Sequence, residues 1–469
     1  MATVLRRKSA APAAPAKSAA PLDEPYVGLD PDTGRPYRTG MPHVLITGIT
    51  SAGKSRTVIS TGVLEWGRRP VVSVSSKADI LGLTIATRAR YGPVYVMDLS
   101  NEVPESAYQG LPVTLVSSDP TTLVDSNDTA LEMAGLLMEV GDLAAGDGGG
   151  GGGDGAFWKS LAMRPLAGIL TAAAGYYDPV DNEDKPGGGI NWALAAVDAD
   201  AAALTVDPDT PADYQTPNWL TAINRLVASG SRHASALSAA RGRSDEQRGS
   251  IAINMQTALG AWSSDAVAGD GTAVPFRPDM LEAPGATLYI ISPLTGNAAP
   301  AAATTLTGLV NHWRRRVDQL PALLMSVDEL PNTSPLPRLA NWIGEARGLG
   351  IRIVAAVQAT SQFEPRWGSS GLKVLRDVFP QILILPPGSG APCPVEQELL
   401  ERASWAAGHV ERGSVSTDVA GHASGGRDRV ERISGAELLP GRGQGRLLIA
   451  GGPGKLVRLV DISSTNLTT

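Results

Sequence analysis

The run from Gly48 to Ser55, which reads GITSAGKS, constrains the fold of this chain more than any other feature. It fits the phosphate-binding pattern G-x-x-x-x-G-K-[ST]. Residues 43–47 (HVLIT) predict a buried strand directly before it, and residues 55–66 predict a helix directly after it. A strand, a glycine-rich turn and a helix are the context of a nucleotide-binding P-loop. This context makes a plain glycine-rich turn the weaker alternative.

Each part of the P-loop has a role in holding a nucleoside triphosphate. Its glycines let the backbone turn tightly, so that successive N–H groups point at the phosphates. We therefore expect ATP to be bound by Gly48, Thr50, Ser51, Ala52, Gly53, Lys54, Ser55 and Arg56. Lys54 is expected to neutralise phosphate charge, and the Ser55 hydroxyl to bind Mg²⁺.

Strand and helix patterns alternate along the chain beyond the P-loop. Further strands are predicted over residues 70–74, 93–97, 286–291, 321–327, 351–357, 381–385, 446–450 and 456–460. Helical patterns separate most of them. This alternation predicts an α/β fold with a central, mostly parallel, twisted sheet covered by helices on both faces.

Composition divides the chain into four parts. Residues 1–40 are rich in Ala, Pro and Lys without periodicity, which predicts a disordered arm. Residues 41–119 form the first part of the nucleotide-binding domain, and residues 266–469 form the second. Between them, residues 120–265 carry only helical patterns and predict an all-α insertion. Its loop at 146–155 is almost pure glycine, for which a flexible connector is favoured over a functional lid.

Charge and cysteine content limit the classes of protein. The formal net charge of −7 argues against a surface coated with nucleic-acid contacts, although a ring with a basic pore stays open. Cys393 is the single cysteine, which excludes an intrachain disulfide framework and favours a reducing cytoplasm. No stretch reaches the ~18 apolar residues of a membrane span, so we expect no transmembrane segment.

A second motif, which is acidic, supplies the Mg²⁺ ligand and the base that hydrolysis needs. Residues 322–327 predict a buried strand, and Asp328 and Glu329 follow at its carboxyl end. Ligands bind at this edge of open α/β sheets. We expect Asp328 to hold Mg²⁺ through water and Glu329 to polarise the attacking water, as in a Walker B motif. The alternative is an ordinary acidic pair at a strand end.

Two further polar residues lie near this motif in the sequence. Gln358 ends the strand predicted over 351–357, where it either senses the γ-phosphate or merely caps the strand. Arg347 ends a helix predicted over residues 337–347. From the residues alone, an unremarkable arginine at a helix C-terminus is favoured for Arg347.

These motifs resemble the TraG/TraD-type conjugative coupling proteins of type IV secretion. The similarity covers most of residues 43–465. It is carried by the P-loop, VVSVSSKAD at 71–79, VYVMD at 94–98, Phe157-Trp158, DELP at 328–331, EARGLGIR at 345–352, QATSQ at 358–362 and GSVS at 413–416. Lys77 matches the family's Asp-Pro-Lys-Gly-Glu motif, whereas Ser75 replaces its leading Asp. The family usually has N-terminal transmembrane helices, which this sequence lacks.

The resemblance implies a hexameric, RecA-like ATPase that feeds DNA and attached proteins to a secretion channel. It implies that Arg347 acts in trans as an arginine finger, that Gln358 lies near the γ-phosphate, and that the insertion caps one ring opening. The implied partners are DNA, other copies of this chain in a homo-hexamer, and a relaxase or other secreted protein. A membrane-embedded secretion partner would recruit the cytoplasmic protein to the inner face of the membrane.

We therefore expect an ATP-driven DNA or DNA–protein translocase. The alternative is an ATP-gated adaptor that presents proteins without pumping DNA, which the negative charge favours and the Asp328-Glu329 pair disfavours. A septal chromosome-pumping motor shares the core but usually carries a DNA-orienting domain. Candidate DNA contacts in the insertion are Arg232, Arg241, Arg243 and Arg248. A solvated mixed-charge helix is the favoured explanation for them.

Overall fold

The protein is described here by a computed structural model. It describes residues 23–145, 153–199, 211–269, 271, 273–294, 297–387, 395, 397–417, 423–465 and 467. The strands are β1 Val44–Thr47, β2 Val71–Ser75, β3 Val94–Asp98, β4 Val113–Ser117, β5 Gly175–Asp178, β6 Glu183–Pro186, β7 Val274–Pro275, β8 Thr287–Ile291, β9 Leu323–Val327, β10 Ile351–Val357, β11 Gln381–Ile384, β12 His409–Thr417, β13 Ala423–Glu431, β14 Gln444–Ile449 and β15 Gly452–Arg458.

The helices are α1 Ser60–Glu65, α2 Asp79–Tyr91, α3 Asn127–Ala145, α4 Gly153–Ala174, α5 Gly189–Asp198, α6 Trp219–Ala228, α7 His233–Arg241, α8 Asp245–Leu259, α9 Asp265–Ala268, α10 Ala299–Arg314, α11 Leu330–Thr333, α12 Leu339–Glu345, α13 Glu364–Val378 and α14 Gln397–Ala407. A π-helical segment, Lys54–Ile59, leads directly into α1, and the two together form the P-loop helix. None of the helices in the described part of the chain is long and apolar enough to cross a membrane.

A single eleven-stranded sheet organises the fold, in the order β15-β14-β11-β1-β10-β9-β2-β8-β3-β4-β7. Neighbouring strands from β11 to β7 are parallel. Every residue of β1, β2 and β9 is buried, as expected for strands with both faces covered by helices. The predicted α/β architecture is therefore present.

The sheet brings the carboxyl ends of the functional strands to one edge. β1 lies between β11 and β10, and β10 lies between β1 and β9. β14 is antiparallel to β11, and β15 is antiparallel to β14, so β15 runs in the same direction as β1. The carboxyl end of β15 consequently lies at the same edge as the P-loop. Ligands of open parallel sheets bind at this edge.

The predicted disordered arm at residues 1–40 needs a correction, because residues 23–40 are packed against the domain. Tyr26 is 3% exposed and Val27 is 1% exposed, in a cluster with apolar side chains of the P-loop helix. Leu29 forms isolated bridges with Pro36 and Arg458. The sequence did not indicate this packing because the apolar run is short and its partner strand lies at the far end of the chain. Residues 1–22 lie outside the described part.

The insertion is mainly helical, with α4 packed against α3, α5, α6, α7 and α8. The expectation that it is purely helical is wrong in one place, since β5 and β6 form an antiparallel hairpin. The buried Tyr176 of β5 accepts a hydrogen bond at 2.6 Å from Gln215, which lies in the segment before α6, so the bond ties the hairpin to that segment. Residues 146–152 of the glycine loop lie outside the described residues.

Candidate active site

Two glycines shape the P-loop for different reasons. Gly53 has φ of 95°, in the left-handed region where a side chain is strained. Gly48 has no room for a side chain, because an added Cβ would lie 2.8 Å from Cβ of Leu385. Between them, Thr50 and Ser51 are exposed and Ala52 is half-buried. The loop therefore presents an accessible rim to a ligand.

Lys54 places a positive charge at the floor of this loop. Its side chain is 7% exposed. Its Nζ donates hydrogen bonds to the carbonyl oxygens of Gly48 at 2.6 Å and Ile49 at 3.4 Å. The same nitrogen lies 3.8 Å from Oε1 of Glu329. The P-loop lysine and the acidic motif after β9 are thus in direct electrostatic contact.

Ser55 and Asp328 form a pair of oxygen donors suited to Mg²⁺. The Ser55 hydroxyl donates a hydrogen bond to Oδ2 of Asp328 at 3.1 Å. Burial raises the pKa of Asp328 to about 6; the charge of Lys54 lowers it, and the charge of Glu329 raises it further. A cation bound nearby would stabilise the ionised form of this buried carboxylate. The two residues fit Mg²⁺, which binds proteins through few carboxylates and hydroxyls and keeps several waters.

Glu329 has an unusual backbone and an unused oxygen. Its φ of 52° is in the left-handed region, and such strain in a non-glycine residue concentrates at functional sites. The Thr333 hydroxyl supports the turn by donating to the carbonyl oxygen of Asp328 at 2.8 Å. Oε2 of Glu329 is buried and has no hydrogen-bond partner among the residues that the structure describes. That oxygen can accept a proton from a bound water.

Gln358 lies between the P-loop and the acidic motif because β10 separates β1 from β9. Its Nε2 donates a hydrogen bond to Oε1 of Glu329 at 3.0 Å. Its backbone N–H donates to Oε1 of Gln362 at 2.8 Å, which orients the end of the strand. These contacts bring Gln358 to the acidic motif, and its role near the γ-phosphate stays a prediction.

Arg347 lies away from these residues. It is exposed and precedes the amino end of β10, whereas Gln358 follows the carboxyl end. The length of the strand separates them by about 23 Å at ~3.3 Å per residue. The structure therefore does not bring Arg347 to the site of its own chain.

Arg56 was expected to contact ATP, but its side chain forms an ion pair with another residue. Its guanidinium donates to both carboxylate oxygens of Asp461, with Nε at 2.7 Å and Nη2 at 2.8 Å. The Arg56 side chain thus faces the segment after β15, which leaves its backbone for phosphate contact. Sequence reasoning missed Asp461, for which the only signal was an acidic residue following a predicted strand.

One of the four candidate arginines of the insertion, Arg248, is engaged in local contacts. Arg248 donates to the carbonyl oxygens of Arg241 and Arg243 and pairs with Asp245. These bonds join the end of α7 to the start of α8. The local structural explanation is therefore favoured for Arg248.

Asp328→Asn is expected to stabilise the protein without ligand. Burial raises the folded-state pKa of Asp328 from its ordinary value of 3.8 to about 6. The carboxyl group therefore stabilises the folded state below about pH 3.8, where it is protonated, and this contribution is lost as the pH rises through about 6. At about pH 8 the variant should unfold with a free energy larger by about 1–3 kcal/mol. Urea unfolding at several pH values measures this.

The difference in unfolding free energy between Asp328→Asn and wild type should shrink at about pH 5 and vanish near pH 3.8, because the wild-type carboxyl group is then protonated in the folded state. Asp184→Asn, at an exposed position on β6, is the control and should change stability little at any pH. A gain for Asp328→Asn that is independent of pH would contradict the assignment.

Two families of known proteins match the chain. Residues 27–377, more than half of the 469, match the family described as "Type IV secretory system Conjugative DNA transfer". Residues 322–439 match the family described as "TraM recognition site of TraD and TraG". A search of curated proteins found no match.

Three solved structures resemble the fold of this chain. The bacterial conjugative coupling protein TrwBΔN70 in an unbound form aligns with a TM-score of 0.57 at 18% identity, over 93% of this chain and 88% of that chain. TrwB in complex with the ATP analogue ADPNP gives 0.55 at 18% identity, over 93% and 90%. VirB4 of Thermoanaerobacter pseudethanolicus gives 0.50 at 14% identity, over 94% and 96%. At these identities the likeness concerns the fold, and it confirms the predicted RecA-like P-loop architecture.

Proposed function

The chain belongs to the type IV secretory system family for conjugative DNA transfer, and from this premise we propose that it hydrolyses ATP to drive DNA, or a DNA–protein conjugate, into a secretion channel. The observation that carries the proposal is the environment of Glu329. One of its carboxylate oxygens is held by Gln358 and lies near Lys54, and the other is buried and unpartnered. This arrangement fits a general base beside a bound triphosphate.

The same geometry supports the other roles in this proposal. Lys54 and the backbone N–H groups of the P-loop bind the phosphates, and Ser55 and Asp328 would hold Mg²⁺. When bound, the metal neutralises charge on the phosphates. Glu329 takes the proton of the attacking water through its free oxygen. Gln358 keeps Glu329 in position and reports on the γ-phosphate.

Assembly belongs to the proposal because Arg347 cannot reach its own site. We propose that Arg347 enters the site of a neighbouring copy in a homo-hexamer and stabilises charge in the transition state. A relaxase or another secreted protein as cargo, and a membrane-embedded partner at the inner face of the membrane, complete the proposed machine. TrwB, which shares the fold, is described as a conjugative coupling protein.

DNA is expected to stimulate ATP turnover, because translocation couples the two ligands. We expect the rate per subunit to rise about fivefold or more on addition of DNA, which corresponds to a barrier lower by about 1 kcal/mol. Phosphate release with and without single- and double-stranded DNA measures this. The Lys54→Ala variant is the control and should lose both basal and stimulated turnover. Turnover that no DNA changes would contradict the translocase and would favour the adaptor.

A further inference from the structure

The groups that meet the γ-phosphate lie on one side of the P-loop strand. Asp328, Glu329 and Gln358 follow β9 and β10, and both strands lie on the same side of β1. A triphosphate that crosses the P-loop toward these residues must extend its nucleoside in the other direction. In the sheet, that direction leads to β11, β14 and β15.

The chain leaves β15 on this side and at the same edge as the P-loop. Residues 459–465 follow, and we call them the C-terminal wall. The Leu459 N–H donates to the carbonyl oxygen of Gly443 at 2.9 Å, and the Leu459 side chain packs on the cluster that includes the P-loop helix. Ile462 is 0% exposed. The wall is therefore anchored at both its start and its middle.

The wall also has a fixed internal structure. The N–H groups of Ser464 and Thr465 donate to the carbonyl oxygens of Asp461 and Ile462, at 2.9 and 3.0 Å. Oδ1 of Asp461 accepts bonds from the N–H of Ser463 at 2.9 Å and from its hydroxyl at 2.7 Å. The Asp461 carboxylate is thereby held in one orientation.

This oriented carboxylate joins the wall to the P-loop helix through Arg56. The two bonds between Arg56 and Asp461, at 2.7 and 2.8 Å, fix both distance and direction, as bidentate arginine–carboxylate pairs do. Arg56 directly follows Ser55, the expected Mg²⁺ ligand. The side chains are 50% and 38% exposed, and ion pairs this exposed contribute little to stability. Positioning is the better explanation of the pair.

We propose that the C-terminal wall forms the part of the nucleotide site that contacts the ribose and base, and that Asp461 is a positioning residue that holds the wall against the P-loop through Arg56. The inference rests on the proposed function, because it requires a nucleoside triphosphate in the P-loop. The triphosphate itself is held by other residues. Loss of the pair should therefore weaken nucleoside binding and spare phosphate binding.

Comparison of ADP with tripolyphosphate tests this, since tripolyphosphate has no nucleoside. In calorimetric titrations of the full chain with Mg²⁺, Asp461→Ala and Arg56→Ala should bind ADP about tenfold more weakly than wild type. The affinity of Asp461→Ala for tripolyphosphate should stay unchanged, because this variant keeps every residue of the P-loop. Asp279→Ala removes the similarly exposed pair with Arg277 outside this site and should change neither affinity.

Unchanged ADP affinity in the Asp461 and Arg56 variants would overturn the inference, as would equal losses for both ligands in Asp461→Ala. Wild-type protein that binds tripolyphosphate but not ADP would also overturn it. Binding of neither ligand would contradict the proposed function, and the inference with it. Photolabelling of wild type with 8-azido-ADP is independent of any variant. We expect label within residues 459–465, and label found only elsewhere would refute the assignment.

Discussion

Glu329→Gln is expected to bind ATP with Mg²⁺ as tightly as wild type and to hydrolyse it about 10²–10⁴ times more slowly, the usual contribution of a general base. Glutamine keeps the shape of the side chain and can still bond to Gln358, but it cannot accept the proton of the attacking water. Binding is measured by titration with a fluorescent ATP analogue, and turnover by phosphate release under saturating ATP.

Two further variants show whether the effect is specific. Lys54→Ala should weaken ATP binding as well as turnover, because it removes charge from the floor of the P-loop. Glu246→Gln alters an exposed glutamate at the start of α8 and should leave both quantities unchanged. Turnover at the wild-type rate in Glu329→Gln would show that Glu329 is not the general base.

Arg347→Ala is expected to bind ATP normally and to lose about 10³–10⁵ in rate, as other nucleotidases do without an arginine finger. The reason is geometric, since Arg347 lies at the opposite edge of the sheet from the P-loop of its own chain. Its effect on hydrolysis must then be exerted in a neighbouring subunit. The rate per subunit should consequently rise with protein concentration, because only assembled protein has complete sites.

Mixing two inactive variants tests the trans arrangement directly. In a mixture of Arg347→Ala and Glu329→Gln, some junctions combine an intact base from one variant with an intact arginine from the other, so part of the activity should return. Arg338→Ala, at an exposed arginine preceding α12, is the control and should stay active alone. An active Arg347→Ala, together with a rate per subunit that stays constant on dilution to monomer, would refute the ring mechanism.

The parts of the site that local patterns encode were predictable from the sequence. β1 and β9 are mostly apolar and are followed by recognisable motifs, so the positions of Lys54, Ser55, Asp328 and Glu329 could each be predicted. Both faces of these two strands are buried, so their apolar residues give a strong sequence signal over a short stretch. The structure brings these four side chains together as expected.

Features that depend on distant pairing were not predictable. The position of β10 between β1 and β9 decides the contact of Gln358 with Glu329, and no local pattern encodes strand order. Strand β4, second from the edge of the sheet, was not predicted because Thr114 and Ser117 leave it only a short apolar run. The pair of Arg56 with Asp461 joins residues from opposite ends of the chain and leaves no signature at either.

The position of β1 in the sheet has a consequence for synthesis of the protein. Both of its neighbours, β10 and β11, are translated long after it, once most of the chain has left the ribosome. Until then this apolar strand has two unpaired edges, a state prone to aggregation in large α/β chains. Such late pairing also implies slow folding, because distant segments must meet before contacts form. A nascent chain that stops before β10 would carry the complete phosphate-binding motif and yet have no functional pocket in which to use it.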